Sequence, residues 1–259
     1  MKRETRLAFA VYLVELAIVA GYVVDWIPVH PIVLMLPLVG LINFKIEGKG
    51  RQGLGLVVRK PARSLLLVAA FAALSFGEHA IRLHLEGVPL RLVSFSGVGM
   101  ESLARDLVVD LFIIALWEEI VSRGYIQTRL QAAWGGWGVL VATLLFATLH
   151  LPSALVGDTS SKVSLRFLQT GLSGFLLGTL CWQTGSVLPS ILLHGLRNFA
   201  GSLAAHLSGL SFGQVAAIQM PFQFLWLSGE VGLMVLAGRF LSFGHDRTSQ
   251  RQGMSIWGA

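Results

Sequence analysis

Three small sets of polar residues stand inside apolar stretches of this sequence, and their types suit hydrolysis. The first is Glu118 and Glu119 with Arg123, in WEEIVSRG, directly after the run LVVDLFIIAL from Leu107 to Leu116. The others are Phe146 with His150 and His194 with Asn198, each spaced i, i+4. A carboxylate in hydrocarbon costs on the order of 3 kcal/mol on insertion scales, so such residues are rare and usually functional. In low dielectric a carboxylate holds a proton more tightly and can take one from water. A histidine beside it can orient the same water, while a second histidine and an amide can donate hydrogen bonds to a developing oxyanion. Glutamate, two histidines and an asparagine thus form a complete set for attack of water on an amide carbonyl. Any one pair alone reads as a structural clamp between helices. All of them at one depth read as a catalytic site.

Depth follows from the elements that carry them. A helix rises about 1.5 Å per residue through a hydrocarbon core of about 30 Å, so the middle of a span lies about ten residues from either end. Glu118 and Glu119 stand eleven and twelve residues past Leu107, and His150 stands eleven past Val139. His194 is seven past Val187 and ten past Thr184. All fall near the midplane. Glu119 and Arg123 share a helix face and can pair, whereas Glu118 points about 100° away and is left to react. Arg197 points away from His194 and Asn198 and needs a partner that the sequence does not name. Glu15 and Glu230 raise the same question.

The 259 residues are 54% hydrophobic and 13% charged, with mean hydropathy +0.70. Soluble domains carry about 25% charged residues, so this composition points to a polytopic membrane protein. The net charge of +6 does not indicate nucleic acid, because the basic residues sit in short segments between apolar runs. The single cysteine, Cys181, excludes an intramolecular disulfide and a cysteine-cluster metal site, and reads as a packing residue.

Along the chain, MKRETR is basic and Leu7 to Val24 is apolar except for Glu15. This reads as a first span and not a signal peptide: the run is long, lacks a small-x-small cleavage site, and a second apolar run follows at once. That second span, Ile27 to Phe44, contains Pro28, Pro31 and Pro37, which neighbouring helices tolerate. Lys45 to Arg63 holds six basic residues against Glu47 and is placed in the cytoplasm by the positive-inside rule. Within it, Leu54 to Val58 is expected as a short interfacial helix. A third span starts at Ser64, and Glu78 to Asp106 is expected as an outer-side segment in which His79 and His84 are solvated. The fourth helix runs from about Leu107 to Leu130, and the fifth from Val139 to Leu151, ending before Pro152. A polar loop spans Ser153 to Ser164. The sixth helix, Leu165 to Trp182, carries Gly174 and Gly178 as a GxxxG contact face. Val187 to Leu207 and Phe222 to Phe240 complete the set, followed by a basic tail with Arg239, Arg247 and Arg251. The expectation is therefore one all-α membrane domain over residues 1–259. It is a polytopic bundle of about eight transmembrane helices in a prokaryotic plasma membrane, with both termini cytoplasmic and the catalytic core at about 107–200.

The motifs EExxxR, FxxxH and HxxxN occur in that order as Glu118-Glu119-Arg123, Phe146-His150 and His194-Asn198. In this the sequence resembles the CPBP family of intramembrane proteases, also called the CAAX-processing and bacteriocin-processing or Abi family. Gly124 after the arginine and the segment GFLLGTL preceding LPSILLHGLRNF match as well, so that the resemblance covers about Leu107 to Ala200. Ser122 departs from it, standing where the family usually has an aromatic residue. The resemblance implies that Glu118 is the general base, with His150 sharing water activation. It further implies that His194 and Asn198 form the oxyanion site, supported by Glu119, Arg123 and Phe146. Members have been described both as glutamate proteases and as metalloproteases. In a metal-dependent version Glu118, His150 and His194 would be the zinc ligands. The sequence lacks HExxH, and Asn198 suits an oxyanion better than a metal, so the expectation is no cofactor. The expected partners are the lipid bilayer and a membrane-associated protein or peptide, cut near a helix end or a carboxyl-terminal signal, and no nucleic acid. A transporter using Glu15, Glu118, Glu119 or Glu230 as proton or ion sites is the rival reading, but no inverted repeat is evident. A non-catalytic scaffold is a third, against which stands the presence of every motif residue.

Overall fold

The computed structural model describes residues 2–88, 100–157 and 160–242, and every regular element among them is helical. The amino-terminal pair is α1 (Arg3–Val23) and α2 (Pro31–Leu41), the latter prolonged by a π-helical turn, Ile42–Ile46. After a 3₁₀ turn at Arg51–Leu54 comes α3 (Pro61–Leu85). The next rod is helical without a break over 100–134. It consists of α4 (Met100–Val108), α5 (Leu116–Glu119) and α6 (Thr128–Trp134), joined by π-helical stretches at Val109–Ala115 and Ile120–Gln127. Then follow α7 (Trp137–Leu149), α8 (Leu151–Gly157), α9 (Ser160–Thr184), α10 (Leu188–Ser208) and α11 (Phe212–Ser242).

Among the described residues, three helices are long and apolar enough to cross a membrane: Arg3–Val23, Pro61–Leu85 and Trp137–Val156. Two shorter apolar helices, Pro31–Ile46 and Phe222–Gly238, accompany them. Large apolar side chains face outward along these elements, among them Leu13, Leu65, Leu66, Leu144 and Leu225. Such a continuous apolar exterior belongs in lipid. The chain is an integral membrane protein of helical type. The 100–134 rod and α10 are less apolar because their inward faces carry the charges.

Two apolar clusters hold the bundle. One gathers α1, α2, the 100–134 rod and α7 around Val11, Met35, Val121 and Leu130; the other gathers α3, α9, α10 and α11 around Phe71, Leu177, Leu193 and Met234. Helix α1 is locked into the first cluster, and Tyr12 Oη lies 2.6 Å from Thr148 Oγ1 on α7. Between α9 and the rod, Gly174 and Gly178 permit close approach. An added Cβ would lie 3.0 Å from Phe146 at the first and 2.7 Å from Gln127 at the second.

The sequence expectations differ from the structure in several places. Helix α3 runs on to Leu85 and buries Glu78 and His79, whose Nδ1 lies 2.8 Å from the Ser75 carbonyl; only His84 is exposed. The helix continues because the apolar face Phe71, Ala72, Ser75, Leu83 persists past the first charges. In place of the short interfacial helix expected at Leu54 to Val58, a 3₁₀ turn lies earlier, at Arg51–Leu54, and Leu54 is buried against Gly124 and not on the membrane surface. Most of the loop expected at Ser153 to Ser164 is helical, because Pro152 stands in the first turn of α8, where its missing N–H is tolerated. Helix α11 starts at Phe212, ten residues before the expected Phe222. The tail arginines Arg247 and Arg251 and much of the outer segment fall outside the described residues.

Candidate active site

Glu118 and Glu119 stand between the two π-helical stretches of the 100–134 rod. A π-turn rotates successive side chains by less than an α-turn does, and such turns recur at functional sites. Thr128 closes the second stretch by donating its hydroxyl to the carbonyls of Gly124 and Tyr125, at 2.7 and 2.9 Å. Gly124 brings the Arg51–Leu54 turn against the rod, since a Cβ there would sit 2.6 Å from the Leu54 carbonyl oxygen.

Glu119 and Arg123 are both buried, with side chains 0% and 2% exposed, and lie 3.1 Å apart as an ion pair. Glu119 has a second partner that spacing alone did not reveal: its Oε1 accepts a hydrogen bond from Nδ1 of His194, at 2.9 Å. Arg123 donates Nη2 to the carbonyl of Gly174 at 3.2 Å, and its guanidinium stacks 3.8 Å from the centre of the Phe146 ring. One turn on, Gln127 donates to the carbonyl of Gly178 at 2.9 Å. The glycine face of α9 therefore supplies two bare carbonyls as well as room. Phe146 also meets the edges of His150 and His194, with ring centres 4.8 and 6.5 Å away.

Glu118 faces both histidines. Its Oε2 lies 4.0 Å from Nε2 of His150 and 3.8 Å from Nε2 of His194. His150 caps the end of α7 and is the most open of the three, with 34% of its side chain exposed against 16% for Glu118 and 12% for His194. The rings are oriented from behind: Nδ1 of His150 lies 3.1 Å from the Phe146 carbonyl, and Nδ1 of His194 is held by Glu119. Each ring thus turns Nε2 toward the Glu118 carboxylate. A water about 2.8 Å from both atoms of such a pair would subtend an angle of about 90°, a comfortable geometry for one shared molecule.

Asn198 is half-buried one turn beyond His194 on α10, and its amide makes no hydrogen bond to any described residue. The register explains this. Helix α10 pairs antiparallel with the rod through Glu118 and His194, Asp110 and Ser202, and Asp106 and His206. Each step of four along one helix is matched by four back along the other. The position opposite Asn198 is Ile114, which offers no polar partner and leaves the amide free. The predicted residues of all three motifs thus come together, Asn198 by register and the others by direct contact.

The structure also names partners that the sequence could not. Arg197 turns away from the site and pairs with Glu230 on α11 at 2.6 Å, both buried. Trp226 Nε1 donates to the other oxygen of Glu230 at 3.3 Å. Glu15 is fully buried, as expected from its mid-helix position, but neither of its oxygens has a hydrogen-bond partner. Below the site, Arg129 joins Glu47, Asn43 and the Gly53 carbonyl, and lies 3.9 Å over the Tyr125 ring. That cluster pulls the basic loop, including its one acid, onto the rod.

For zinc, Glu118, His150 and His194 are suitable donors in kind. Zinc bonds of about 2.0–2.1 Å set tetrahedral ligand atoms about 3.3 Å apart. The observed 3.8 and 4.0 Å are wider, and no group of three His, Cys, Asp or Glu among the described residues is arranged to hold a metal ion.

Residues 101–200 match the family described as Type II CAAX prenyl endopeptidase Rce1-like. No curated protein and no solved structure matches the chain. The matched segment spans every motif residue from Glu118 to Asn198, and over that segment the chain is similar to the CAAX-protease family, whose Rce1-like members are peptide hydrolases.

Proposed function

We propose that the chain is a glutamate-type intramembrane endopeptidase that cleaves a membrane-associated peptide with one activated water. The observation that carries this reading is the convergence of Glu118 Oε2 with Nε2 of His150 and of His194 inside an apolar bundle. Glu118 takes the proton of the water while His150 orients it, and the hydroxide adds to the scissile carbonyl. The proton then passes to the departing amine, which leaves a carboxylate on the other product. The oxyanion receives the Asn198 amide and Nε2 of His194. Because Nδ1 of His194 already donates to Glu119, donation from Nε2 requires the doubly protonated ring. The Glu119 carboxylate orients that ring, as carboxylates behind catalytic histidines do.

Glu119, Arg123 and Phe146 are supporting residues. Arg123 keeps the Glu119 charge compensated, and Phe146 fixes the tilt of both imidazoles. The reaction proceeds without metal in this reading, with the catalytic core at about 107–200, about eight crossings and both termini cytoplasmic. The family acts on membrane-associated peptides, so a carboxyl-terminal tail or a peptide presented at the bilayer is the substrate class. Comparing membrane peptides from cells with the wild-type protein and with Glu118→Gln tests the reading. A peptide processed only by the wild type is expected; identical peptide profiles at equal protein levels would contradict it. Elemental analysis decides the metal question: stoichiometric zinc lost together with activity on chelation would replace this mechanism by a zinc-dependent one.

A further inference from the structure

Hydrolysis consumes one water per turnover, and Glu118 lies near the middle of a rod surrounded by apolar helices. The antiparallel polar ladder continues from that point toward one end of the bundle. Ser202 Oγ donates to Oδ2 of Asp110 at 3.0 Å, and His206 Nε2 lies 2.8 Å from Oδ2 of Asp106. Between the end of α4 and the end of α10 opens a cavity of about 530 Å³, lined by Asp106, Asp110, Ser202, Ala205 and His206 among others. Before Asp106 on α4, Glu101 and Arg105 are exposed. From Asp106 to Glu118 is twelve residues, at most about 18 Å of helix. Asp110 is itself buried, 8% exposed, yet it lines the cavity. The polar row of α10 at one-turn spacing, faced on the rod by Asp106, Asp110 and Glu118 with Ile114 between them, forms a surface that water wets and hydrocarbon does not.

We propose that this cavity is the aqueous mouth of the catalytic site, and that the row His206, Ser202, Asn198, His194 conducts water from it to Glu118. Asp106 and Asp110 hold that row in register against the catalytic helix. They act as positioning residues for the water path and do not touch the scissile bond. The proposal rests on the hydrolytic reading only for its purpose, since the path itself can be observed without any activity.

The test uses the lone cysteine. On a Cys181→Ala background in liposomes, single variants Ala205→Cys, Ser202→Cys and Asn198→Cys are treated with a membrane-impermeant, charged methanethiosulfonate reagent. Phe112→Cys serves as the control, because Phe112 stands between Asp110 and Ile114 on the rod but is 58% exposed on its outer side. Cysteines at 205, 202 and 198 are expected to react at least tenfold faster than the cysteine at 112, and from the same side of the membrane. Ala205 makes no polar contact, so its variant reports on the mouth even if Ser202→Cys disturbs the ladder. Protection of position 198 at the level of position 112 would overturn the proposal, whatever the peptidase activity. Reaction at 198, together with no peptidase activity in the Cys181→Ala parent, would leave the water path standing and remove the hydrolytic reading instead.

Discussion

At the scale of residues, the division of labour between the adjacent glutamates is the main result. Spacing assigned Glu119 to Arg123, and the two form an ion pair; Glu118, which spacing left unpaired on its own helix, faces both histidines. Spacing could not show that Glu119 also holds Nδ1 of His194, because that contact joins residues 75 positions apart. Glu119 therefore sets the orientation of an imidazole as well as compensating Arg123. Glu119→Gln retains an acceptor of the same shape but loses the charge. Its kcat for peptide cleavage is expected to fall by about 10²- to 10⁴-fold, the range for carboxylates that orient catalytic histidines, with KM little changed. Steady-state kinetics on a cleaved peptide would check this; a change confined to KM would show that Glu119 touches only substrate binding.

At the scale of elements, the glycines state where helices must touch. A Cβ at Gly124 would strike the Leu54 carbonyl oxygen, a backbone atom that cannot swing aside, whereas at Gly171 the nearest atom would be the Ala147 methyl at 3.9 Å. Gly124→Ala is expected to destabilise the protein by about 1–3 kcal/mol through overpacking. Gly171→Ala should be neutral or gain a few tenths of a kcal/mol, in line with helix propensity. Thermal unfolding in detergent separates the two, and equal melting temperatures would refute the close-approach argument. The GxxxG spacing of Gly174 and Gly178 was legible because small residues at i, i+4 have a direct steric meaning. The π-helical stretches flanking Glu118 were not. Hydrophobic periodicity is too coarse to register one extra residue per turn in a segment apolar on most sides. The turn at Pro152 was misread for a related reason, since proline stops a helix or starts one according to what precedes it.

At the scale of the whole molecule, most of the helical order and the convergence of the motif residues were visible from charge-free runs interrupted at matching positions. What sequence could not supply was the pairing of distant helices. Arg197 and Glu230 illustrate this: each was an isolated charge in its own span, and each is the other's partner between α10 and α11. Removing one member leaves an uncompensated buried charge, so Arg197→Leu alone is expected to cost about 3–5 kcal/mol. Replacing both, with Glu230→Leu added, should recover most of that loss, because two desolvated charges vanish together. A double-mutant cycle in thermal or denaturant unfolding measures the recovery, and strictly additive losses would mean the two residues act apart.

The central claim is that Glu118, between His150 and His194, activates the water that cuts the peptide. Its most direct test is single-turnover cleavage of a processed peptide by purified, reconstituted protein carrying Glu118→Gln, beside wild type. The account predicts a rate at least 10²-fold lower with the melting temperature and peptide affinity preserved. Cleavage at the wild-type rate by a folded Glu118→Gln protein would contradict it.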